Sequence, residues 1–260
     1  MHYFKASIDY IKNNRKKSIL IAALDLFFYL LFFPIFSIWI YFFSRAISRM
    51  PMQTMGAALE SMQKEALLSL QSMLIKVFIG IIISVLLLFL LVLLNTAVFK
   101  IIIWLFTLNK MPNYKIIMKS LLLLLVLSVI FLIPLAFTAV PFAKSANEYM
   151  YAQTLSPYYA DFIPMLIVFF FYAYFLALAF YFLAKEESFK KAFKNCFKLG
   201  ILKLHKLILP FLALFIIPAA VMKLLGNLGI LTNIVGLIII LLTIITISFS
   251  NRIYIAKFLQ

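Results

Sequence analysis

Acidic residues are scarce in this 260-residue chain: eight Asp and Glu stand against 24 Lys and Arg. Histidine is rarer still, with His2 and His205 alone, and Cys196 is the one cysteine. Each shortage closes a class of chemistry. One cysteine cannot form an internal disulfide. A hydrolytic metal site takes about three protein ligands, and no H-E-x-x-H helix supplies them. An intramembrane aspartic dyad needs two acids at depth, whereas Asp25 is the one acid inside a long apolar run. G-x-S-x-G and G-x-x-x-x-G-K-[ST] are also missing. An enzyme is not expected, nor is a cofactor. Six glycines and nine prolines exclude a fibrous or linker-like chain.

What is abundant is apolar surface. Two thirds of the residues, 66%, are hydrophobic, and the mean hydropathy is +1.12. A soluble domain is nearer half apolar, and this surplus exceeds what one aqueous core can hide. Lipid removes the difficulty. A spanning helix needs about 20 mostly apolar residues, and six segments qualify: 18–44, 77–99, 120–142, 163–184, 207–224 and 228–250. Their apolar runs are continuous and not alternating, which specifies helices over barrel strands. The first is too long for a signal-peptide core, and no convincing A-x-A site follows it, so we expect it to be retained. The expected fold is all-α, a single polytopic membrane domain over 1–260.

The formal charge of +16 does not indicate nucleic acid, because the basic residues sit mainly between apolar segments. Eighteen of the 24 fall on one side of this threading, and Arg45, Arg49, Lys64, Lys76, Lys144 and Lys223 on the other. The positive-inside rule then puts both termini in the cytoplasm of a cell-membrane protein. Aromatic placement agrees: Tyr149, Tyr151, Tyr158 and Tyr159 cluster at an outer interface, with Trp104 and Tyr114 near the inner one.

A three-fold pattern underlies the spans. "LFFP" at Pro34, "FLIP" at Pro134 and "FIIP" at Pro218 each follow a basic segment: "YFKASIDYIKNNRKKS", "FTLNKMPNYKIIMKS" and "ESFKKAFKNCFKLGILKLHK". Each unit would be a basic interfacial elbow, a proline-bearing helix, an outer loop and a return helix. All three enter from the same side, which makes them parallel repeats. The elbow at 187–206 is the clearest. Phe189, Phe193, Cys196, Phe197, Ile201 and Leu204 form one face, expected in the acyl boundary. Lys190, Lys191, Lys194 and Lys198 form the other, expected against anionic head groups on the cytoplasmic side.

An outer amphipathic segment is expected at 53–74, with Met55, Leu59, Met62, Ala66, Leu70 and Met73 as its apolar stripe. The run "MPMQTM" at 50–55 offers thioethers, soft ligands suited to Cu(I). No His or Cys lies nearby, so filling apolar surface is the preferred role.

Asp25, in "IAALDLFFYLLFF", is the chemically unusual position. It lies eight residues past Lys17, about 12 Å along a helix. A charged Asp at a span centre costs on the order of 2.5–3.5 kcal/mol. A cation, a proton, a wet cavity or snorkelling could relieve that cost. Arg252 or Lys100 is the favoured partner; Lys119 and Asn95 lie at a similar level. Asp25, Asn95, Thr96, Lys100 and Arg252 are therefore the candidate intramembrane polar site. Ser84, Ser128, Thr138, Asn233, Thr243 and Thr246 are read as helix-packing groups.

This layout resembles uncharacterised bacterial and archaeal multi-pass membrane families in which basic elbow helices lead into six spans. More distantly, it looks like the six-span permease subunits of ABC exporters, which share cytoplasmic termini and an N-terminal interfacial helix. The importer-type permease pattern, E-A-A-x-x-x-G followed by nine residues and I-x-L-P, does not fit "ESFKKAFKNCFKLGILKLHKLILP": "ESF" replaces "EAA" and Gly200 is misplaced. The expected function is non-enzymatic, organising membrane or binding partners. The alternative is a transporter or permease subunit moving a small or lipidic substrate with a separate partner. Membrane lipids are the expected contacts; a protein partner or second copy stays open.

Overall fold

The computed structural model describes the backbone of residues 2–47, 64–152, 156–229 and 234–259, with side chains over 8–32, 34–45, 75–141, 163–229 and 235–259. Every regular element among these residues is an α-helix: α1 His2–Asn13, α2 Arg15–Leu30, α3 Phe32–Ile47, α4 Lys64–Thr107, α5 Tyr114–Ala152, α6 Ser156–Glu186, α7 Phe189–Leu202, α8 Leu204–Asn227 and α9 Ile234–Leu259. Six stretches are long and apolar enough to cross a membrane: Arg15–Arg45, Ile75–Thr107, Tyr114–Pro141, Ile163–Glu186, Leu204–Asn227 and Val235–Leu259. The expected all-α membrane architecture is the one observed.

Three expected boundaries need correction. The sixth span does not stop at residue 250; helix continues to Leu259. Arg252, expected at the end of that helix, therefore lies within it, about two turns before its last residue. The elbow expected over 187–206 is α7 alone, and a break at Lys203 separates it from α8. Of the outer segment 53–74, residues 53–63 lie outside the described residues, as does the Met-rich run. From Lys64 onward the backbone is already α4, continuous with the second span.

The three-fold pattern holds in part. The first and third units have a separate elbow helix, α1 and α7. The second has a tight turn instead. Asn109 adopts a left-handed φ of 61°, and the Lys110 N–H closes back on the Leu105 carbonyl at 2.8 Å. That is the 6→1 bond of a Schellman cap, for which Asn is a tolerated substitute for Gly. Pro34 also differs from its counterparts. The chain turns at Leu31, just before it, whereas Pro134 and Pro218 lie inside continuous helices.

The chain divides into two units. The larger comprises 1–26 and 97–260. There α5 packs on α6, α6 on α7, α9 on α8, and α1 on α9. Its core combines aliphatic and aromatic side chains. Tyr174, Phe180, Tyr181 and Phe182 are buried. Trp104 meets Tyr181 edge-on at 5.3 Å, and Tyr174 meets Phe211 at 4.9 Å.

Elbow α7 docks here in an unexpected way. Its buried face is Ala192, Cys196 and Gly200, a stripe at i, i+4 and i+8. Small residues let helix backbones approach closely. A Cβ on Gly200 would lie 2.9 Å from Phe175 Cε1 and 3.0 Å from Leu178 Cδ1. The Tyr174 hydroxyl donates to the Gly200 carbonyl at 2.7 Å. The expected aromatic face meets protein at one described residue, Phe197. Phe197 stacks on Phe175 at 4.9 Å, Phe189 and Phe193 are half-buried, and Ile201 remains exposed. Burial pushes the Cys196 thiol up to about 12.

The smaller unit comprises 27–96. Phe28 packs edge-on against Tyr29 at 5.0 Å and Phe32 at 5.2 Å, and Trp39 stacks on Phe43 at 5.0 Å. The Asn95 amide donates to the Phe28 carbonyl at 3.3 Å, next to the turn at Leu31. In lipid, a backbone group near a helix break needs such a replacement partner.

A buried ion cluster as the candidate functional site

In the larger unit, α2, α4 and α9 bring together three side chains that are 75 to 227 positions apart in sequence. On α2, Ile21 and Asp25 lie one turn apart on the same face. On α9, Phe249, Arg252 and Ile253 share a face in the same way. Ile21, Ile103, Phe249 and Ile253 form a buried apolar cluster, with Tyr10, Leu24, Phe99 and Phe106 packed against it. The amphipathic spacing that buries these apolar residues also aims Asp25, Lys100 and Arg252 toward one another.

Asp25 is fully buried and Arg252 is 5% exposed. Arg252 Nη1 donates to Asp25 Oδ1 at 2.9 Å, and Nη2 donates to Oδ2. This is the two-pronged guanidinium–carboxylate pairing that a planar fork permits and a lysine cannot. Lys100 Nζ lies 3.6 Å from Asp25 Oδ1 with a partly exposed side chain. Arg252 Nη1 also reaches Ser248 Oγ at 3.2 Å, one turn back on α9. Arg252 Nε is buried without a hydrogen-bond partner among the described residues. Counted formally, one carboxylate faces two cations, so the cluster carries one surplus positive charge.

Of the five candidate residues, Asp25, Lys100 and Arg252 are brought together, and both favoured partners are engaged at once. Asn95 and half-buried Thr96 belong to the smaller unit, where the Asn95 amide serves the Phe28 carbonyl. Lys119, considered as a partner for Asp25, instead donates to the Glu187 carbonyl at 2.8 Å. Ser248 was missed by sequence reading. Its signal, a hydroxyl four residues before an arginine in an apolar run, was hidden by the early end assigned to the sixth span.

A second charged cluster was also missed. The expected role of the loop lysines was topology and head groups. Several of them also bind the C-terminal ends of helices, where unpaired carbonyls and the helix dipole favour cations. Lys17 donates to the Thr107 carbonyl at 3.4 Å and to Asn109 Oδ1. Lys110 donates to the Lys185 carbonyl and to Glu187 Oε1, each at 2.8 Å. Lys185 in turn donates to the Leu259 carbonyl at 2.9 Å. Glu187 closes α6 in a left-handed conformation, φ 55°, which is uncommon for a residue with a Cβ. The hydrogen bond and charge of Lys110, with the charge of Lys119 adding, hold its carboxyl below the usual range. The elbow lysines Lys190, Lys191, Lys194 and Lys198 are exposed on the face of α7 away from its buried stripe.

Comparison with protein families, with curated proteins and with solved structures finds no match for this chain. The site must be read from its own chemistry. Both oxygens of the buried Asp25 carboxylate are engaged, Oδ1 with Arg252 and Lys100 and Oδ2 with Arg252. What the arrangement does well is fix three helices in register.

Proposed function

We propose that this is a non-enzymatic, multi-pass membrane protein that organises the lipid and partner proteins around it. Both termini lie on the cytoplasmic side. The observation that carries this reading is the state of Asp25: the acid identified within a span is sealed among apolar side chains and held by Arg252 and Lys100. A proton- or ion-coupled carrier keeps such a group accessible to water and free to titrate. A strut is paired and dry. With the bundle fixed, the lysine face of α7 is the surface left to act. Lys190, Lys191, Lys194 and Lys198 would collect anionic head groups, each contributing about 1 kcal/mol near the surface.

The transporter reading draws on one observation, the surplus positive charge beside an unpartnered Arg252 Nε, which a passing anion could use. Reconstitution separates the two. Energy transfer from labelled protein to fluorescent lipids in mixed vesicles is expected to show anionic probe enriched over zwitterionic probe. Replacing the four elbow lysines by Gln should abolish the enrichment. No solute or proton flux depending on Asp25 is expected in the same vesicles. Flux that disappears in a folded Asp25→Asn protein would overturn the scaffold reading in favour of transport.

A further inference from the structure

We infer that the groove between α1, α2 and α9 is a discrete binding site for one anionic phospholipid. This shares with the scaffold reading only the premise that the bundle sits in lipid. The groove has a volume of about 390 Å³ and is lined by Ile11, Arg15, Ser18, Ile19, Ala22, Ile245, Thr246 and Phe249. That volume falls in the range of small-ligand sites, about 300–1,000 Å³.

The lining is graded along the groove. Arg15 stands at the start of α2, at its lysine-rich end, and is exposed. Ser18 lies almost one turn deeper and is 6% exposed, and its hydroxyl has no hydrogen-bond partner among the described residues. Ile19 and Ala22 follow along α2, and Ile11, Ile245 and Phe249 complete the apolar walls. From Arg15 to Ala22 is about 10 Å along the helix.

A cation, then a lone hydroxyl, then an apolar slot is the order of groups on a phospholipid: phosphate, glycerol ester, acyl chain. A buried hydroxyl with no partner costs about 1–3 kcal/mol, and an ester carbonyl at that depth would relieve it. Thr246 does not offer the same handle, because its hydroxyl donates to the Leu242 carbonyl at 2.8 Å. A peptide helix, about 10–12 Å across, is a poor occupant of a groove of about 390 Å³. A zwitterionic lipid would fill the slot but bring no net charge to Arg15.

Native mass spectrometry of the full-length protein tests this, with phosphatidylglycerol and phosphatidylcholine of equal chain length added separately. One phosphatidylglycerol is expected to stay bound in preference to phosphatidylcholine. Arg15→Gln should weaken phosphatidylglycerol about fivefold and phosphatidylcholine by less, since its choline already offsets its phosphate. Ala22→Phe, which fills the slot, should weaken both; if that variant misfolds, Ile245→Phe serves in its place. Replacing the four elbow lysines should leave the retained lipid in place, which separates this site from the general enrichment proposed above. Equal retention of both lipids with no effect of Arg15→Gln would overturn the site, as would loss of the retained lipid on elbow substitution alone.

Discussion

Asp25 and Glu187 are each one carboxylate set against two cations, yet they sit in opposite surroundings. Asp25 has Arg252 and Lys100 and no exposed surface. Glu187 has Lys110 and Lys119 at an open helix end, with about half its side chain exposed. The composition of the two clusters is nearly the same. What differs is what happens when one member is removed. Water can replace a lost partner at Glu187. At Asp25 the partly exposed Lys100 could still reach water, but Arg252 would be stranded beside Ile21, Ile103, Phe249 and Ile253. Burial, not the number of ion pairs, should set the energetic weight of each cluster.

The largest expected effect is at the buried cluster. Asp25→Asn leaves Arg252 and Lys100 without their anion, and breaking a buried pair costs about 3–5 kcal/mol. Reversible unfolding in a denaturing detergent should read this loss directly. Replacing both Asp25 and Arg252 with well-packed apolar residues should restore much of it, because a buried ion pair is often no better than its apolar equivalent.

A neutral joint of similar burial separates charge from burial. Gly200→Val places a side chain against Phe175 and Leu178, and overpacking of this kind costs about 1–3 kcal/mol. The wild-type Cys196 thiol, buried and raised to about 12, should resist maleimide in the folded protein. In Gly200→Val it should label faster. Tyr174→Phe removes the bond to the Gly200 carbonyl and should cost about 1 kcal/mol.

The smallest effect belongs to Glu187→Gln, because exposed pairs contribute little and are screened by salt. Its pH dependence has a definite sign. The folded carboxyl lies below its ordinary value of 4.5. Its contribution is therefore complete above pH 4.5 and is lost as pH falls through the lower, folded value. Wild type and Glu187→Gln should converge in stability under acid and again at high salt. A difference that persisted under either condition would equate the two clusters and break the comparison.

Sequence reading was strongest where one dominant force acted. Hydropathy located all six spans, since lipid imposes continuous apolar length whatever the partners. It also reached the pairing of Asp25 with Arg252 and Lys100, by elimination among few intramembrane charges. It failed where the outcome depended on close contact. The small stripe Ala192, Cys196 and Gly200 was overlooked because the phenylalanines on the same helix dominate any hydrophobicity measure. Backbone approach, not apolar area, decided which face of α7 docked. The helix-capping lysines were hidden for a related reason. A cation near a helix end looks the same in sequence whether it meets a carbonyl or a phosphate. The helix of the sixth span runs past residue 250 to Leu259, because apolar length marks a span and not where its helix stops.

The central claim is that Asp25 is a strut held by Arg252. A double-mutant cycle on Asp25→Asn and Arg252→Gln, read by reversible unfolding, tests it most directly. The account predicts strong non-additivity, with a coupling of about 2–3 kcal/mol at the upper end of what contacting residues show. Effects that simply add, to within about 0.5 kcal/mol, would contradict it.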